Sequence, residues 1–179
     1  MITAAFKNPS ISRDVGQIRG PVQLSFGRSI EPITPQEVYI TRMGVSNVKP
    51  AEGKSSGLGR KAIVPYGLYR QEGYISANLA RNVTGFSDDD LDAFWDALIH
   101  MFDDDRSSAR GKMAIRALLV FKHDSPYGNE FAHNLFERVT VSRKDSATIP
   151  RMYADYAVAL DEEDMPDGVT VEKKIWKSA

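Results

Sequence analysis

One amphipathic helix constrains the fold of this chain more than any other feature. Ser87 and Asp90 have the spacing of a helix N-cap and its reciprocal partner, while Phe86 and Leu91 hold the two positions of a hydrophobic staple. Leu91, Phe94, Trp95, Leu98 and Met101 or Phe102 then recur at helical spacing. Such a single apolar stripe has to be covered, most simply by a sheet. Asp88, Asp89 and Asp90 suit the positive end of the helix dipole, whereas Asp103, Asp104 and Asp105 oppose its negative end, so the helix is predicted to stop near Phe102.

Strand patterns on either side of the helix supply the sheet and make the expected class α+β. Residues 20–30, GPVQLSFGRSI, alternate Val22, Leu24 and Phe26 with Gln23, Ser25 and Gly27 and then Arg28, which predicts a strand with one buried and one polar face. Residues 31–62 lose periodicity and gather Pro32, Pro35, Gly44, Pro50, Gly53, Gly57 and Gly59, which reads as a long excursion rather than a regular element. Residues 63–76 return to aromatic and β-branched types around Gly67 and Gly73, as in a bent or bulged strand. Residues 114–123 form an apolar run short enough for a buried strand. A short helix from Asn129 to about Glu137, a strand VTVSRK, and a terminal hairpin of YAVAL and VTVEKKIW around DEEDMPDG complete the prediction.

At 179 residues and 42% apolar content the chain has material for one domain. No run approaches the roughly 18 to 20 consecutive apolar residues of a membrane span, and the start MITAAFKNPS lacks the pattern of a secretory signal. A cytoplasmic protein without membrane partners is expected. The absence of cysteine excludes disulfides, thiolate nucleophiles and cysteine metal sites, and leaves His100, His123 and His133 as the imidazoles. The net charge of -1 averages two unlike halves: residues 1–82 carry +6 and residues 83–179 carry -7. The first half is therefore a candidate polyanion surface.

The stretch GKSSGLGRK, residues 53–61, contains two lookalike motifs. A P-loop needs a glycine five residues before its Gly-Lys-Ser and a helix after it, but position 48 is Val and a strand pattern follows. A nucleophile elbow needs a strand-to-helix turn, and Pro50 precedes with no helix after. His123, Asp124 and Ser125 are adjacent on one strand, where side chains diverge, so they cannot line up as a triad. The aspartate triplets read as solvated faces, since neighbouring helical carboxylates point about 100° apart. No catalytic residue, metal site or cofactor is assigned. What remains is flexible glycine and three cations, Lys54, Arg60 and Lys61, able to neutralise the phosphates of an anionic chain.

The blocks GQIRGPVQLSFGRSIEPI, ITRM, GRKAIVPYGLYRQEGYISANLA and FKHDSPYGNEFAHNLFERVTV occur in that order from about Gly16 onward. Together they resemble the Cas-seven backbone subunit, Csd-two type, of the subtype I-C CRISPR Cascade complex. The resemblance implies an RRM-like, ferredoxin-like palm with a protruding thumb, here residues 31–62, and several copies arrayed along one guide RNA. It implies guide-RNA contacts from Arg19, Gln23, Ser25, Arg28, Thr41, Arg42, Lys54, Arg60 and Lys61, with target DNA reached through the guide and further Cascade subunits as partners.

Members of that family carry a further N-terminal stretch with the first palm strand and helix before the GQIRGPVQ block. Residues 1–179 are therefore expected to form a single partial palm domain, incomplete at its N-terminus. The implied function is a noncatalytic RNA scaffold. The alternative is a divergent metal-dependent ribonuclease of the same superfamily.

Overall fold

The computed structural model describes residues 18–43, 56–108 and 110–176, and at residues 42, 43, 56 and 57 it describes the backbone only. Its first half is an antiparallel β-ribbon. Strand β1 (Val22–Leu24) pairs with β6 (Gly73–Ile75), β2 (Arg28–Ser29) with β5 (Tyr69–Arg70), and β3 (Gln36–Met43) with β4 (Ser56–Ile63). These three ladders are nested, so one chain segment runs out along the ribbon and the other returns.

The register slips by one residue between successive ladders. Leu24 opposes Gly73 and Arg28 opposes Arg70, so Ser25, Phe26 and Gly27 span the same gap as Gln71 and Glu72. The Ser25 amide still donates to the Glu72 carbonyl at 2.8 Å, which leaves Phe26 and Gly27 facing Gln71 alone. That is a β-bulge, with its extra residue on the outgoing strand and not in residues 63–76, where the sequence pattern predicts a bent or bulged strand. A Cβ at Gly73 would meet Leu24 Cδ2 at 2.7 Å and would have to displace that exposed side chain.

The expectation of an irregular excursion over residues 31–62 is corrected at its ends: residues 36–43 and 56–63 are eight-residue paired strands. Glycine and proline content masked them, because an exposed two-stranded ribbon needs no alternating apolar pattern. The buried face expected for residues 20–30 is also corrected. Leu24 is 52% and Phe26 93% exposed, since the bulge turns Phe26 outward and no layer covers Leu24 among the described residues.

Ser76 caps α1 (Ala77–Leu79), which continues as a turn of π-helix over Ala80–Thr84 and ends at Gly85 with φ 69°. Helix α2 spans Asp88–His100 with the anticipated reciprocal cap: the Asp90 amide donates to Ser87 Oγ, and the Ser87 amide donates to the Asp90 carboxylate. The Ser87 amide, and after it the Ser87 hydroxyl, which also donates to the carboxylate at 2.8 Å, hold the Asp90 carboxyl below its usual range. After the helix, Asp103 contacts His100 at 2.9 Å and pairs with Arg106, and Asp105 pairs with Arg110, so two of the three acids have an arginine beside them. The expected sheet cover over α2 is not formed among the described residues. Leu91, Phe94, Trp95 and Leu98 are only half-buried, because no described strand packs extensively along α2.

In the second half, β7 (Leu118–His123), α3 (Ala132–Glu137), β8 (Val139–Arg143), β9 (Tyr156–Leu160) and β10 (Val169–Ile175) follow in order. The terminal hairpin is overturned: β9 pairs with β8, and β10 pairs with β7. Tertiary partners captured both strands, although the segment joining them has turn-forming composition. All the sheets among the described residues are antiparallel and two-stranded, so no four-stranded palm sheet is assembled there.

Among the described residues the most deeply buried side chains lie where the ribbon meets α3, β8 and β9, with Ala80 of the π-helical turn also buried. Leu135 is 1% and Tyr156 2% exposed. Tyr74 packs edge-on against Phe136, and Tyr66 stacks on Tyr156. No helix among the described residues is long and apolar enough to cross a membrane.

Candidate nucleic-acid interface

The ribbon positions the predicted contacts in two groups. Near its base, exposed Arg19 precedes β1, and exposed Gln23 lies opposite Tyr74 with its amide donating to the Gly20 carbonyl at 3.2 Å. Ser25 is locked to the return strand: its hydroxyl accepts from the Glu72 amide at 3.1 Å, and its carbonyl accepts from Gln71 Nε2 at 2.7 Å. Arg28, exposed, sits directly opposite Arg70.

Two like charges face to face would repel, but Arg70 is already engaged. Its guanidinium donates to the Val139 carbonyl at 2.7 Å and the Phe136 carbonyl at 2.6 Å, and it meets Glu72 at 3.1 Å. Arg70 thus ties the ribbon to the end of α3 and the start of β8. Arg28 makes no ion pair among the described residues and is the open cation of the pair. Ser25, Phe26, Arg28, Arg70 and Glu72 line a cleft of about 340 Å³ at the bulge.

The second group lies on the β3–β4 hairpin. Thr41 opposes Leu58, Arg60 opposes Tyr39, and Lys61 opposes Val38, so strand alternation puts Thr41 and Arg60 on one face and Lys61 on the other. A single face of the hairpin therefore does not carry both cations of Arg60-Lys61. Arg60 makes an exposed ion pair with Glu37 at 3.7 Å, and Lys61 donates to Ser108 Oγ at 3.0 Å. Arg42 takes the register position opposite Gly57, with its side chain outside the described residues. Lys54, the center of the thumb reading, also lies outside them.

Sequence reasoning missed Arg70, Glu72 and the exposure of Phe26. Arg70 and Glu72 flank Gln71 within a recognised block, yet their juxtaposition with Arg28 depends on the bulge register. Among the described residues, no group of three or more His, Asp or Glu side chains is assembled that could hold a metal ion.

A family profile described as CRISPR-associated protein Cas7 matches residues 2–161. The chain belongs to the Cas7 family. The match runs through the ribbon, α2 and β7 to β9, so both groups of candidate contacts fall inside the Cas7 region. Comparison with curated proteins finds no match. Membership of the Cas7 family associates the chain with CRISPR effector assemblies, in which such subunits form the backbone.

Proposed function

We propose that this Cas7 chain is a noncatalytic guide-RNA-binding backbone subunit of a CRISPR interference complex, of the Cascade subtype I-C kind. It works in the cytoplasm, in several copies along one guide RNA, leaving the bases free to pair with target DNA. The observation that carries the reading is the Cas7 match over residues 2–161. The exposed cations of the β-ribbon support it, since phosphate contacts from Arg and Lys fix register without reading sequence. An RRM-like palm belongs to the same proposal, with the β3–β4 hairpin as the base of its thumb.

The test is binding of a guide-like single-stranded RNA across a salt series. Arg28→Ala is expected to weaken binding with little sequence dependence and to reduce the salt slope by about 0.7. Incubation with magnesium or manganese and guide-paired RNA checks the noncatalytic part. Protein-dependent cleavage would overturn it in favor of a ribonuclease.

A further inference from the structure

We propose that Phe26, carried outward on the bulge, is a stacking platform for one unpaired RNA base whose phosphate is held by Arg28. The proposal rests on the RNA-binding reading and adds a contact to it. A singly exposed apolar residue is ordinary, so the exposure of Phe26 alone would carry nothing. Its setting is not ordinary. Phe26 is 93% exposed at the register break between the first two ladders of the ribbon, and bulges of this kind re-aim side chains beside functional sites. It lines a shallow cleft together with Arg28 and Arg70.

The charges in that cleft are sorted. Arg70 is engaged by two carbonyls, through Nη1 and Nη2, and by Glu72 at 3.1 Å, which is held by Arg70 in turn. Arg28 remains as the open cation among the described residues, two residues from an open aromatic face. A π face for a base beside a guanidinium for a phosphate fits a nucleotide of a single strand. A duplex does not fit, because its stacked bases present no free face. Since every base has a π face, the contact is indifferent to sequence, as a subunit serving many guides requires.

The experiment uses the full 179-residue chain and a single-stranded RNA carrying 2-aminopurine at successive positions, with a DNA strand of the same sequence alongside. Wild type is expected to quench the probe. Phe26→Ala is expected to abolish the quench and weaken binding about tenfold with the salt slope unchanged, whereas Phe26→Trp restores both. Arg28→Ala is expected to lower the salt slope instead. Because Phe26 is exposed, circular dichroism of the variants should match wild type, and Phe26→Leu provides a second nonaromatic replacement. Nonaromatic variants that quench and bind like wild type would overturn the stacking contact and leave the RNA reading intact. Loss of self-association with unchanged RNA affinity would assign Phe26 to a protein contact and overturn it too. A wild type without affinity for RNA would overturn both, and stronger quenching of DNA than RNA would reject the assigned ligand.

Discussion

The phenol of Tyr156 donates a 3.1 Å hydrogen bond to one oxygen of the Glu31 carboxylate, and Arg143 meets the other oxygen at 3.1 Å. This triad joins the ribbon to the β8–β9 pair across the small core. Burial, followed by the bond to Glu31 and the nearby negative charge, pushes the Tyr156 pKa up to about 12.

A phenol whose pKa is raised on folding stabilises the fold in its neutral form. That contribution is complete below the ordinary value of about 10 and is lost as pH rises from about 10 to 12. Urea unfolding midpoints are therefore expected to fall over that window. Tyr156→Phe should reduce the alkaline loss without abolishing it, because burial also raises Tyr66 and Tyr153. At neutral pH the substitution is expected to cost about 1 kcal/mol. An unchanged alkaline limb in Tyr156→Phe would reject the assignment.

Arg70 makes a sharper prediction, because its fork serves two carbonyls at once. Arg70→Ala leaves the acceptors of Phe136 and Val139 without their donor and is expected to cost about 1.5 to 3 kcal/mol in chemical denaturation. Arg70→Lys should recover only part of this, since an ammonium on a flexible stem does not reproduce the planar two-point geometry. Equal stability of the Lys variant and wild type would show that charge, not the fork, matters.

The features legible in the sequence are local ones. Ser87 and Asp90 lie three residues apart, so their reciprocal bonds require no knowledge of the rest of the chain, and α2 begins where they predict. Arg70 is the opposite case: its partners at Phe136 and Val139 are more than sixty residues away, and its position opposite Arg28 depends on a one-residue slip. Periodicity reports that a segment is extended but not which strand it pairs with, so it suggests a β9–β10 hairpin where β8 and β7 hold the two strands. Alternation also misled at Leu24 and Phe26, where an apolar pattern implies a buried face only if something lies over it.

Gly168 tests the way β10 is delivered to β7. Its φ of 78° is left-handed, its carbonyl accepts from the Asp124 amide at 2.9 Å, and an added Cβ would collide with the Asn129 side-chain amide. Asn129 Oδ1 accepts from the Ser125 amide at 3.0 Å, so displacing it disturbs the loop after β7. Gly168→Ala is expected to cost about 1 to 3 kcal/mol, read as a lower thermal midpoint. Asn129→Ala removes the obstacle but not the φ penalty. Combining it with Gly168→Ala should therefore cost less than the sum of the two single changes, and strict additivity would argue against the collision.

On the β3–β4 hairpin, Glu37 and Arg60 form an ion pair at 3.7 Å with both side chains more than half exposed. Such a pair stabilises by at most about 1 kcal/mol and is weakened by salt, so Arg60 can exchange Glu37 for a phosphate at little cost. The pair still sets the hairpin apart from Arg28, which has no carboxylate to leave among the described residues. Two results should follow if both cations meet RNA. Arg60→Ala should weaken RNA binding less than Arg28→Ala at low salt, because part of its charge is already compensated. Glu37→Gln should strengthen binding by about twofold to fivefold at low salt, the effect fading as salt screens the removed repulsion. Fold stability in Glu37→Gln should stay within about 0.5 kcal/mol of wild type, which separates an electrostatic effect on RNA from a structural one. Tighter binding that persists undiminished at high salt, or no change in binding at any salt, would remove Arg60 from the RNA surface and leave the hairpin's contribution to residues other than this pair.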